Sequence, residues 1–135
     1  MENIPEYLEN ARARLGAFNQ LIGLEVDEAG EGFCRGSCPI EEKLLNPRGS
    51  VHGGELATVL DTTAGLAAIM SSPAQRSVVT QSADIHYLRP VTGGRMFCRA
   101  ETVKAGRHTG LVQAEIRTED GTLAVTASFE IFFVD

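Results

Sequence analysis

Asn46-Pro47-Arg48-Gly49-Ser50-Val51-His52-Gly53-Gly54 runs directly into Glu55-Leu56-Ala57-Thr58-Val59-Leu60-Asp61. The first half reads as a polar loop punctuated by glycine, and the second opens an apolar helix. Leu56, Val59, Leu60, Thr63, Leu66, Ala67 and Met70 fall on one stripe at helical spacing. Ala57, Asp61, Ala64, Gly65 and Ala68 form a second stripe of small residues around a single acid. The pattern predicts a helix buried nearly all round and ended by Ser71-Ser72-Pro73. Asp61 is the only formal charge between Leu56 and Met70. An ionised carboxylate so placed loses hydration that few neighbours could replace. Asp61 is therefore either a working group or a structural acid bonded to Thr58, Thr62 or a neighbouring subunit.

Outward from this helix the periodicity changes. Ile4, Leu8, Ala11, Leu15 and Phe18 recur at steps of three and four, so residues 1–20 are read as a covering helix running from 3 to 20, with Asn3 and Pro5 at its start. Residues 21–135 are read as the main body of a single domain. Leu21 to Glu28 and Phe33 to Ile40 look like a hairpin turning at Ala29-Gly30-Glu31-Gly32. After the helix, four segments alternate in steps of two. Val79, Gln81, Ala83, Ile85 and Tyr87 share one face of the first, which stops at Arg89-Pro90; Met96 to Val103 and Gly110 to Thr118 follow, and Leu123 to Phe133 is the last. The order is helix, two strands, long helix, four strands. It implies an α+β architecture in which an antiparallel sheet wraps one long central helix. Such a sheet has exposed edges that commonly pair between subunits.

The bulk properties narrow the classes. A chain of 135 residues, 43% hydrophobic and 22% charged, suits one soluble domain without metal or disulfide. The net charge of −6 argues against nucleic-acid and anionic-membrane surfaces. Cys34, Cys38 and Cys98 are odd in number and lack Cys-x-x-Cys spacing, so they read as reduced core residues and no metal site is expected. No stretch has the form of a signal peptide or a membrane span, which makes a cytoplasmic location the expectation.

The order of elements, together with Asn46, His52-Gly53-Gly54 and Asp61, resembles the hot-dog-fold acyl-CoA thioesterases of the phenylacetate-pathway (PaaI-like) branch. Later residues agree: Thr80-x-Ser82-x-x-Ile85-x-Tyr87-Leu88-Arg89-Pro90, then Gly106-Arg107 between two strands. The likeness spans residues 20–134. It implies that Asp61 attacks the thioester carbonyl or activates a water that does, and that the Gly53 backbone N–H polarises that carbonyl. His52 and Asn46 would orient the thioester or the water, with Thr80 placing a hydroxyl nearby. Gly54, Ser82, Tyr87, Arg89, Pro90, Lys104, Gly106, Arg107 and His108 fall in segments that contact coenzyme A. The family resemblance further implies homodimers, often paired into tetramers, with the active site shared across the dimer interface. No cofactor is expected, because coenzyme A belongs to the substrate. One departure is Glu55, charged where relatives usually carry an apolar residue.

The chemistry suits these residue types. Thiolates leave readily, so a carboxylate base or nucleophile and a polarised carbonyl suffice. Gly53 at a helix start offers an N–H without an intrahelical acceptor, at the positive end of the dipole. Two other readings stay open: a hydratase or dehydratase acting on enoyl or 3-hydroxyacyl thioesters through His52 and an acid, and a noncatalytic acyl-CoA binder.

Overall fold

The computed structural model describes residues 4–72 and 74–134; Asn3 and Pro73, assigned above to helix ends, lie outside them. The elements are α1 (Ile4–Ala13), α2 (Ala17–Ile22), β1 (Glu25–Gly30), β2 (Phe33–Pro39), a 3-10 turn (Glu42–Leu44), α3 (Gly53–Ser71), β3 (Val78–Tyr87), β4 (Arg95–Ala105), β5 (Thr109–Arg117) and β6 (Leu123–Phe133). One six-stranded sheet runs β1-β2-β4-β5-β6-β3, antiparallel throughout. It curves around α3 as the helix and strand patterns require. Leu56, Val59, Leu60, Leu66 and Met70 are buried against a sheet face that includes Cys98, Ala100, Val112, Ile116, Phe129 and Ile131. Gly36 leaves room on two sides: a Cβ there would come 2.9 Å from the Glu25 carbonyl oxygen of the neighbouring strand and 3.6 Å from Thr63 Oγ1 on α3.

Three expectations need correction. The covering helix is two helices, broken at Arg14-Leu15-Gly16, where the Arg14 and Leu15 amides bond back to Ala11 and Arg12 in a tightened last turn. The second helix runs on to Ile22 and stops at Gly23, whose φ of 81° is the left-handed end that glycine supplies without strain. The first strand therefore starts at Glu25 and not at Leu21.

The strict alternation in β3 also fails. Thr80 pairs with Ile131 and Ser82 with Glu130, so Gln81 is an extra, bulged residue. Val78, Thr80, Ala83, Ile85 and Tyr87 consequently share the face of the buried partners Phe133, Ile131, Phe129, Ala127 and Val125. Val79 turns to the outer face with Phe132.

The third correction concerns α3, which is not buried all round. Ala64 and Ala68 are buried, but Asp61 is exposed and Ala57, Thr58, Thr62 and Gly65 are half-buried. The open strip lies along β3, an edge strand on which only Val78 and Ile85 are more than marginally covered. The three cysteines behave as expected: all are buried and free, and burial pushes each thiol up to about 12.

Candidate active site

The loop before α3 is held by Asn46. Its Oδ1 accepts the backbone N–H groups of Arg48 (2.9 Å) and Ser50 (3.2 Å), and its Nδ2 donates to Ser50 Oγ (3.1 Å). The side chain thus shapes the turn that delivers His52 to the helix start. His52 is the N-cap: its Nδ1 accepts the Gly54 N–H at 2.8 Å. While Nδ1 accepts this bond, the ring presents Nε2 as its other nitrogen, on an exposed side chain. The His52 carbonyl takes the Glu55 and Leu56 amides. Among the described residues no acceptor is paired with the Gly53 amide. The Tyr87 hydroxyl donates to the Gly53 carbonyl at 3.2 Å and ties the end of β3 to this turn.

Asp61 is held from across the cleft. Thr80 Oγ1 donates to Asp61 Oδ1 at 2.6 Å, a bond made possible by the Gln81 bulge that turns Thr80 inward. Thr58 and Thr62 do not bond it: Thr58 donates to the Gly54 carbonyl, and Thr62 to Asn19 Oδ1 on α2. The carboxylate opens into a cleft of about 340 Å³ floored by Gly65 and Leu66. Eight residues separate Gly53 from Asp61, about 12 Å along the helix axis. A single carbonyl needs both groups at roughly 3 Å. Within one chain they cannot meet on it.

The remaining predicted residues divide into two groups. Gly54 is in the first helical turn, and Tyr87, Arg89 and Pro90 are exposed near the helix start. Lys104 and Gly106 border a separate 730 Å³ depression that also holds Ser82, which donates to Glu130 on the outer face. In the same turn the Arg107 and His108 carbonyls accept from Arg76 and the Phe133 amide. Tyr87 lies opposite Val125 and Thr109 opposite Phe132. The seven residue steps along β6 from Val125 to Phe132 put the two groups roughly 23 Å apart. Two residues were not singled out as site groups from sequence. Arg14 lines the Asp61 cleft from the α1–α2 turn, and nothing in the spacing of α1 signals it. Glu55 buries both carboxylate oxygens without a hydrogen-bond partner, which its place in a polar first turn conceals. Among the described residues no group of three His, Cys, Asp or Glu side chains could hold a metal ion, and no helix is long and apolar enough to cross a membrane.

Residues 48–125, well over half the chain, match the family model described as the thioesterase superfamily. The chain belongs to the thioesterase superfamily. A curated relative, the medium/long-chain acyl-CoA thioesterase YigI of Salmonella typhimurium, is 22% identical over 126 residues, covering 82% of this chain and 81% of that one. Among solved structures, a hypothetical thioesterase of Streptococcus pneumoniae with coenzyme A superposes with a TM-score of 0.78 at 26% identity, over 83% of this chain and 86% of that one. The PaaI protein of Escherichia coli superposes with a TM-score of 0.89 over 98% and 97% of the two chains; at 20% identity this likeness establishes the hot-dog fold. The architecture expected from the sequence is thus the family's own, and thioester hydrolysis is the family's chemistry.

Proposed function

We propose that this superfamily member hydrolyses acyl-CoA thioesters to a free acid and coenzyme A, with Asp61 as nucleophile or general base and the Gly53 N–H as oxyanion donor. The observation that carries the reading is the pair formed by a solvent-open Asp61, bonded by Thr80, and an amide without acceptor at the start of the same helix. Removing one oxyanion donor in other enzymes costs roughly 2.7–4 kcal/mol. The exposed His52 ring, held by Nδ1, orients the thioester or the water. The reaction draws on no cofactor. The coenzyme A carried by the pneumococcal relative supports the substrate class.

The 12 Å between Gly53 and Asp61 makes a second copy part of the site. β3 is a ten-residue edge strand open on nearly its whole length, and edges of this kind pair between chains. An antiparallel pairing of β3 with its own copy about the strand midpoint sets the partner's Tyr87 opposite Val78. The partner's Gly53, tied to that tyrosine, then lies by Asp61 and Thr80. The same pairing brings the partner's Arg89 and Pro90 toward Lys104, Gly106, Arg107 and His108, closing the 23 Å gap. These cations suit the three phosphate groups of coenzyme A. The protein acts as a homodimer, pairing further into a tetramer, in the cytoplasm.

Thiol release from a panel of aryl and aliphatic acyl-CoAs tests the activity, with enoyl-thioester absorbance followed in parallel. Mixing two inactive variants tests the shared site. Asp61→Asn and a Gly53→Pro chain, which lacks the amide, complement each other in a mixed dimer that keeps one intact site. Partial recovery on subunit exchange is expected; two variants that remain inactive after proven exchange would refute the composite site.

A further inference from the structure

The cleft beyond Asp61 has a composition of its own. Past the carboxylate it is walled by Leu66, Ile69 and Val78, with Gly65 leaving room that a side chain would take: a Cβ there would sit 3.8 Å from Val78 Cγ2. Asp61 to Ile69 is eight residues, about 12 Å of helix. The groove then meets Arg14, whose Nη2 donates to the Gln75 carbonyl at 3.1 Å beyond the end of α3. A guanidinium has five N–H donors, and this bond uses one. Among the described residues the ion pairs are Arg35–Glu28, Lys43–Glu41, His86–Asp84, Arg95–Glu25 and Arg117–Glu115, so no carboxylate neutralises Arg14. Several other Lys and Arg residues among those described likewise make no ion pair; what sets Arg14 apart is that it lines the same cleft as Asp61, at the end away from the carboxylate.

We infer that Arg14 is a specificity-determining residue that selects acyl groups carrying an anionic or hydrogen-bond-accepting terminus at the far end of an apolar chain. The inference rests on the acyl-CoA reading above: with the carbonyl carbon against Asp61, the acyl chain has this groove to lie in. The groove walls take the methylenes, and the remaining donors of the exposed guanidinium take the terminus through charge-assisted bonds. A methyl-ended chain of equal length leaves those donors facing apolar carbon, which is the arrangement that discriminates best.

The test compares matched pairs, hexanoyl- with adipoyl-CoA and octanoyl- with suberoyl-CoA, on the parent, Arg14→Leu and Arg14→Lys. In the parent one dicarboxylic member is expected to exceed its methyl-ended match in kcat/KM by at least tenfold. Arg14→Leu removes or reverses that ratio through KM, and Arg14→Lys restores part of it. A purely structural Arg14, clamping Gln75, would lower the melting temperature and slow both members of a pair equally. A parent ratio at or below one, or a ratio that Arg14→Leu leaves unchanged, overturns the assignment. Affinities of Asp61→Asn, with and without Arg14→Leu, for the same pairs read the ratio without turnover. Absent thiol release with a preserved affinity ratio would therefore remove the hydrolase and keep the role of Arg14.

Discussion

Glu55→Gln is predicted to make folding stability less sensitive to alkali, and the size of the effect follows from where the carboxyl sits. Glu55 is in the first turn of α3 with both oxygens buried and no hydrogen-bond partner. Burial raises its pKa from the ordinary 4.5 to about 7. The nearby Cys38 thiol, itself pushed up to about 12 mainly by burial, cannot supply a positive charge. The helix N-terminus favours the anion by only about 0.3–1 kcal/mol, too little to offset desolvation. Below pH 4.5 both folded and unfolded chains hold the proton, and the residue is neutral to stability. Between 4.5 and 7 the unfolded chain has released it while the folded chain still binds it, so stability falls as pH rises. The loss is complete above pH 7. Its ceiling is about 3 kcal/mol, from about 1.36 kcal/mol for each unit of pKa difference. Urea unfolding of parent and Glu55→Gln at pH 4.5, 6, 7 and 8.5, at one protein concentration, checks it. The glutamine variant should gain on the parent by about 1–2 kcal/mol across that range, below the ceiling because the side chain is only half-buried and solvent screens its charge. A stability difference that stays flat within about 0.5 kcal/mol would show that the carboxyl finds a partner or water on folding, and the reasoning would fail.

The remaining predictions concern catalysis. Asp61→Asn, close in shape and still able to accept from Thr80, should lower kcat by roughly 10²–10⁴ with little change in substrate affinity, read by thiol release and by calorimetric binding. Thr80→Val removes the 2.6 Å bond to Asp61 and should lower kcat about tenfold, the worth of one hydrogen bond near 1.5 kcal/mol, with denaturation midpoint unchanged. Gly53→Ala should separate stability from activity. Its methyl would rest 3.8 Å from the Tyr87 ring, an ordinary contact, so stability should hold or rise by up to about 1 kcal/mol. The same methyl enters the approach of the carbonyl to the N–H, and kcat/KM should fall by about 10². A variant as active as the parent would remove Gly53 from the oxyanion site.

The elements most legible in the sequence were those whose side chains obey a single period. The stripe from Leu56 to Met70 placed α3 to within three residues, and the alternation from Leu123 to Phe133 placed β6 within one. The break at Gly16 was hidden because Leu15 and Phe18 keep three-residue spacing across it. Burial was the harder property. Asp61 among small residues was read as enclosed, since alanine and glycine are equally the signature of close packing and of an open strip awaiting a second chain. Nothing in one sequence distinguishes the two. Arg14 was illegible for a related reason: its place in the cleft comes from a tertiary contact with Gln75, 61 residues away.

The Gln81 bulge shows how little of the site follows from pattern alone. Strict alternation puts Thr80 on the face opposite Ala83, Ile85 and Tyr87, and so away from Asp61. One unpaired residue reverses that, and only then can its hydroxyl reach the carboxylate. Bulges reorient a side chain at the cost of one ladder position, and they recur beside active sites for that reason. The resemblance identified Thr80 as a candidate; the pattern read from the residues contradicted it. A segment in which a candidate residue and the strand period disagree is where a bulge is to be looked for. Here the edge strand supplies it within one turn of the helix acid, on the border where a second chain would bring its own Gly53.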